Sequence, residues 1–225
     1  MAGILFIISA PSGSGKSTLV NEVRRLVPGL EFSVSYTTRA PRGSEEDGRE
    51  YHFTTKENFE RMIAADEFLE YATVFGDNYY GTAISALEQA REHGHDLLLD
   101  IDVQGALQVM KKVPEAVSIF ILPPSPQVLE MRLRNRSQAE GVTQEDVIER
   151  RLSLARNELL KIGDYKYALV NDQLDLAASE MRAIVLSERG EAGKIVTTAA
   201  RCLTSARSVR LDAALASFQV TPATR

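Results

Sequence analysis

Between an apolar run and the first helical pattern lies Ala10-Pro11-Ser12-Gly13-Ser14-Gly15-Lys16-Ser17-Thr18. Glycines at this density let consecutive backbone N–H groups turn inward around phosphate oxygens. A helix beginning directly behind them adds partial positive charge, Lys16 is suited to neutralise β- and γ-phosphates, and the Ser17 hydroxyl suits Mg2+. The spacing follows G-x-x-x-x-G-K-[ST] with one departure, Ala10 at the first glycine. An apolar strand before and a helix after are the context this motif needs, so residues Pro11 to Thr18 are expected to bind a nucleoside triphosphate. Asp100, closing the run Leu97-Leu98-Leu99, has the strand-end place of a carboxylate that helps hold the accompanying Mg2+, directly or through water.

A second set of residues suits a different anion. Ser35-Tyr36-Thr37-Thr38-Arg39-Ala40-Pro41-Arg42 gathers two guanidiniums and several hydroxyls, a fitting clamp for a monophosphate dianion, and Tyr51 and Tyr80 can add phenolic donors. Guanine presents N1–H and an exocyclic amine together, donors that call for carboxylate or hydroxyl acceptors. Glu70, Thr82 and Asp102 offer them. Further on, Arg132, Arg134, Arg136, Arg150 and Arg151 surround a polar loop containing Gly141 and read as a lid. The acidic run Glu45-Glu46-Asp47 reads as a solvated loop, and His52, His93 and His95 have no partner at a recognisable spacing.

These side chains need a scaffold. Gly3–Ser9, Asp96–Ile101, Val117–Leu122 and Tyr167–Val170 are short apolar runs without alternation, as in strands covered on both faces. Helical patterns cover Lys16–Leu26, Ile84–Glu92, Val103–Lys111, Pro126–Arg136, Gln144–Leu160 and Gln173–Leu186, so the fold class is α/β with a parallel sheet flanked by helices. Residues Phe32–Gly81 break that rhythm with short Thr-, Tyr- and Phe-rich segments, which predicts a small mixed or antiparallel insert. The composition, 225 residues with 44% hydrophobic and 25% charged, is that of an ordinary globular chain. A net charge of −5 argues against a surface made to coat nucleic acid or anionic lipid. The single cysteine, Cys202, allows no internal disulfide and is read as an inert thiol in a cytoplasmic setting. The apolar opening is far shorter than the ~20 residues of a membrane helix and lacks a basic leader.

Taken in order, the phosphate loop, Ser33-Val34-Ser35-Tyr36-Thr37-Thr38-Arg39-Ala40-Pro41-Arg42, Gly48-Arg49-Glu50-Tyr51, Asn78-Tyr79-Tyr80-Gly81-Thr82, Asp100-Ile101-Asp102-Val103-Gln104-Gly105 and Val170-Asn171-Asp172 resemble guanylate kinases over about residues 3–188. The resemblance implies ATP + GMP ⇌ ADP + GDP on a P-loop NTPase-type core, with a GMP-binding insert at about 33–82 and a helical lid at about 132–151 that swing inward on ligand binding. It implies that Ser35, Arg39, Arg42, Tyr51 and Tyr80 hold the GMP phosphate and that Glu70, Thr82 and Asp102 read guanine. It also implies that Asn171 lies near adenine, and that Arg136 and Arg151, with Arg132 assisting, approach the transferring group alongside Lys16 and Arg42. The acceptor being a phosphate anion, no general base is required; alignment and charge dispersal do the work. Two alternatives stay open: a kinase for another monophosphate or a phosphorylated sugar, and a non-catalytic guanylate-kinase-like binding module. The oligomeric state and the choice between GMP and dGMP are also open. Residues 189–225 lie beyond the resemblance, with disorder the default and one weak helical stripe of Ile195, Ala199, Cys202 and Ala206.

Overall fold

The computed structural model describes residues 3–74, 77–139 and 145–219. The described residues hold nine strands and nine α-helices in the order β1 (Leu5–Ser9), α1 (Lys16–Leu26), β2 (Leu30–Phe32), β3 (Tyr36–Thr37), β4 (His52–Phe53), α2 (Lys56–Ala64), β5 (Phe68–Val74), β6 (Asn78–Ala83), α3 (Ile84–Glu92), β7 (Asp96–Asp100), α4 (Val103–Lys112), β8 (Val117–Leu122), α5 (Pro126–Ala139), α6 (Glu145–Leu159), β9 (Tyr167–Val170), α7 (Leu174–Glu188), α8 (Lys194–Arg201) and α9 (Val209–Ser217). One sheet is parallel, in the order β2-β7-β1-β8-β9, and the other is mixed, in the order β4-β3-β6-β5. Every residue of β1 and β8 is buried, as continuous apolar runs require of strands covered on both faces. No helix among the described residues is long and apolar enough to cross a membrane.

The chain divides into two compact units, Met1–Ile7 with Gly29–Ala116 and Ile8–Pro28 with Val117–Arg225. In the first, β5 and β6 pair antiparallel with Glu70 opposite Thr82 and Ala72 opposite Tyr80. Phe59, Met62 and Phe68 form a core beneath them, joined by Tyr36, Ile63 and Tyr79. Successive strand residues face opposite ways; Tyr79 accordingly stacks on Phe59, with ring centroids 5.1 Å apart, while the Tyr80 hydroxyl meets Arg39. Thr55 caps α2 by accepting from the Asn58 N–H, and Asp102 caps α4 by accepting from the Gly105 N–H.

In the second unit α7 is the central helix, burying Ala177, Ala178, Met181 and Ala183–Leu186 and packing on α1, α8 and β9. Residues 194–217 are ordered structure, contrary to the default expectation of disorder. Leu203 bridges Tyr167 antiparallel, the Ala168 N–H donates to the Cys202 carbonyl (2.8 Å), and Leu211, Ala214, Leu215 and Phe218 are buried. Of the expected stripe, Ala199 and Cys202 are buried, Ile195 is half-buried and Ala206 is exposed. Residues 132–139 and 145–151 belong to α5 and α6, while Gly141 lies outside the described residues.

Candidate active site

The loop between β1 and α1 owes its shape to two glycines. Gly13 and Gly15 have φ of +88° and +80°, a region costly for side chains with a Cβ. A Cβ on Gly15 would lie 2.6 Å from Asn171 Nδ2, and one on Gly13 would lie 3.0 Å from Leu129 Cδ1. Gly15 is also the N-cap of α1 and supplies no side-chain acceptor, so the first-turn N–H groups have none from the cap residue. Asn171, 5% exposed, donates from Nδ2 to the Ser14 carbonyl at 2.8 Å. Arg132 donates to that same carbonyl (3.2 Å) and to the Asn171 carbonyl (3.1 Å). Burial pulls the Arg132 guanidinium below its ordinary value, against the opposing charge of Asp172. Arg132 and Asn171 therefore brace the loop through the Ser14 carbonyl. The Ser14 hydroxyl is buried without a hydrogen-bond partner, a ready donor for a phosphate oxygen. Pro11 is buried, Lys16 half-buried, and Ser12, Ser17 and Thr18 are exposed.

The other arginines of α5 and α6 have distinct settings. Arg134 pairs with Glu130 on its own helix and with Glu145 across to α6. Arg151 donates to the buried Ser137 hydroxyl at 3.0 Å, and Arg136 is exposed near the end of α5.

In the first unit Arg39 is the hub. Its Nε donates to the Tyr80 hydroxyl (3.1 Å), Nη1 to the Ala40 carbonyl (2.7 Å), and Nη1 and Nη2 to the two oxygens of Glu45 (2.9 and 3.0 Å). Its guanidinium carbon lies 5.3 Å from the Tyr51 ring centroid, and Tyr51 meets Tyr80 edge-on with centroids 5.7 Å apart. These bonds use four of five guanidinium N–H groups, leaving one on Nη2. The Arg39 side chain is only 10% exposed, so its direction is fixed. Glu45 thus corrects the solvated-loop reading. Its carboxylate also accepts from the Arg42 N–H (2.8 Å), and pairing with Arg39 holds it below the usual carboxylate range. The sequence signal was Gly43, which at φ +54° sits in the turn Arg42–Glu45, closed by the Glu45 N–H donating to the Arg42 carbonyl (3.0 Å), so that position 45 meets position 39. Asp47 likewise accepts from the Phe53 N–H at 2.8 Å. Arg42 is exposed and Ser35 half-buried beside this cluster in sequence.

Glu70 is 5% exposed and accepts from the Thr82 hydroxyl at 2.7 Å, with Thr82 fully buried. Its carboxyl is pushed up to about 7, chiefly by burial; the Thr82 hydrogen bond opposes the rise and the negative Asp102 adds to it. The backbone of Gly105 approaches so closely that a Cβ there would lie 2.6 Å from Glu70 Oε2. Asp102 is exposed at the start of α4, and Asp100 half-buried at the C-terminal end of β7. Ser17, in the second unit, and Asp100, in the first, are hard oxygen donors of the kind Mg2+ takes.

A family model described as guanylate kinase matches residues 3–188. A guanylate kinase of Koribacter versatilis is 54% identical, with 97% of each chain covered. One of Nitrosospira multiformis is 47% identical over 85% of this chain and 89% of its own. Among solved structures, a crystal structure of guanylate kinase from Anaplasma phagocytophilum aligns with a TM-score of 0.65 at 32% identity, covering 85% of this chain and 88% of that one.

Proposed function

The chain belongs to the guanylate kinase family and phosphorylates GMP with ATP in a reaction that needs a divalent metal; from that premise we propose how its residues divide the work. The backbone of Pro11–Thr18 cradles the ATP phosphates, with Lys16 on the β- and γ-phosphates and the orphaned Ser14 hydroxyl supporting an oxygen acceptor there. Asn171 serves ATP by fixing the Ser14 carbonyl and with it the loop. Ser17 and Asp100 hold the metal as Mg2+, directly or through water, and the ion supplies charge neutralisation on the phosphates. Ser35, Arg39, Arg42, Tyr51 and Tyr80 take the GMP phosphate, Glu45 keeping the Arg39 fork aimed. Residues 33–82 act as the GMP-binding insert and 132–151 as the lid.

Glu70, Thr82 and Asp102 read guanine. The observation that carries this is the dry Glu70–Thr82 pair: a carboxylate with so little water needs donors to stay ionised, and guanine brings N1–H and an amine. Adenine has no pair of adjacent donors on that edge and would leave a buried acceptor unpaired, at a cost of roughly 1–3 kcal/mol or more. Catalysis is dispersal of charge: Lys16, Arg42, Arg136 and Arg151 offset repulsion between two anionic nucleotides, and an arginine at the transferring group is worth about 10³–10⁵ in rate in related phosphoryl transfer.

A single cysteine, which can form no internal disulfide, accords with a cytoplasmic setting. The residue assignment is tested by initial rates with GMP, AMP, UMP and dTMP for the parent and Glu70→Ala. The expected result is a large loss confined to GMP use with ATP binding retained; equal loss of both would contradict it.

A further inference from the structure

The turn after α3 reads His93-Gly94-His95, and local physics fixes it tightly. Gly94, at φ +70°, ends the helix, donating from its N–H to the Arg91 carbonyl (3.1 Å), while the His95 N–H reaches the Ala90 carbonyl (2.9 Å). This paired closure ties two histidines, one residue apart, to a helix C-terminus, where partial negative charge favours cations. Strand β2 lies parallel beside β7 with Leu30 opposite Asp96 and Glu31 opposite Leu97, and the Asp96 N–H donates to the Gly29 carbonyl. The register brings the Glu31 carboxylate to both imidazoles: its Oε1 is 2.6 Å from His95 Nδ1 and 3.2 Å from His93 Nδ1. One ligand atom from each residue lies within 4.8 Å of the other two. The two imidazoles pull the Glu31 carboxyl below its usual range, chiefly His95.

We propose that Glu31, His93 and His95 form a surface site for a late first-row divalent ion, with Zn2+ as its type case. Two imidazoles and one carboxylate match zinc chemistry, not the all-oxygen sets of Mg2+. Ligand atoms about 2.0–2.1 Å from a tetrahedral zinc lie about 3.4 Å from one another, so the trio closes around an ion by small rotations of exposed side chains, and solvent completes the fourth position. An ion bound at the two Nδ1 atoms uses the lone pairs of neutral imidazoles, each keeping its proton on Nε2. The site sits before the N-terminal end of β7, whereas Asp100 closes its other end, roughly 16 Å along an extended strand. Its occupancy therefore fastens β2 to the α3–β7 turn without entering the phosphoryl-transfer chemistry.

The test is calorimetric titration of the metal-stripped full chain with ZnCl2 in excess MgCl2, without nucleotide, alongside Glu31→Gln, His93→Gln, His95→Gln and a His52→Gln control. The expected result is one zinc per chain, weakened in each of the three variants by at least the 10–100-fold that loss of an outer-sphere partner costs, and unchanged in the control. Unaltered Mg2+-dependent GMP turnover in the three variants shows that they fold. An anomalous difference map of zinc-soaked parent crystals should place the ion among the three side chains, a readout independent of any variant. Equal affinity in the three variants, loss in the control, a map peak elsewhere or no uptake at millimolar zinc would each overturn the proposal.

Discussion

At Glu70 a proton decides whether the proposed guanine reader works. With its carboxyl pushed up to about 7, the side chain accepts hydrogen bonds above that pH and loses acceptor capacity below it. KM for GMP should therefore rise as pH falls from 8 to 6, approaching tenfold per unit, while KM for ATP stays flat; rates over a GMP–ATP grid at each pH check this. The same group shapes stability. Its folded value lies above the unfolded value of 4.5, so it stabilises fully below 4.5 and that contribution is lost as pH rises through about 7. Loss of this term, on the order of 3 kcal/mol at most, should lower the thermal midpoint of the nucleotide-free protein between pH 5 and 8, and Glu70→Gln should remove that part of the slope. Glu45 carries the other residue-scale prediction. Freed of its bidentate partner, Arg39 should swing, so Glu45→Ala should raise KM for GMP several-fold and leave KM for ATP unchanged. Arg39 and Glu70 were legible as candidates from residue type, because few side chains suit a phosphate or a guanine edge. Glu45 was not, because a carboxylate in a polar loop acquires a role only when a turn folds it back onto Arg39.

At the scale of elements, the loop Pro11–Thr18, the proposed phosphate cradle, depends on a brace from distant chain. Gly15→Ala places a Cβ 2.6 Å from the Asn171 amide at a positive φ, so it should displace the Asn171–Ser14 bond and raise KM for ATP more than KM for GMP. The C-terminal helices reach the same brace. Arg210 of α9 donates to the Val170 carbonyl (3.1 Å) and to Asp172 (2.7 Å), on either side of Asn171. Deleting residues 190–225 should lower the thermal midpoint by several degrees and weaken ATP more than GMP, since Leu211, Leu215 and Phe218 each bury side chains worth about 1.5–3 kcal/mol. The long apolar strands and the helices between them were readable because they leave a periodic signal. Strands β2, β3 and β4, of two or three residues, are too short to show one. Helices α8 and α9 offered only small or scattered apolar residues; what orders them is the buried side of α7 and the edge of β9, partners that local sequence does not reveal. The bonds of Arg132 to the Ser14 and Asn171 carbonyls were hidden for the same reason, since they exist only in three dimensions.

At the scale of the whole molecule, a chain of net charge −5 must hold two polyanions, so attraction has to come from local clusters and not from the overall field. Six motifs in a fixed order made the family legible, whereas none of them reaches residues 189–225; the match to the Koribacter versatilis relative, covering 97% of this chain, is too long to stop at residue 188. Transfer between two phosphates competes with transfer to water, which sets a strict requirement on where the γ-phosphoryl group goes. A phosphorus NMR time course of ATP, GMP and Mg2+ reads that destination directly. For the parent, ADP and GDP should appear in equal amounts with no growth of inorganic phosphate, and Lys16→Ala should produce neither; accumulation of inorganic phosphate in place of GDP, or undiminished GDP formation by Lys16→Ala, would contradict the account.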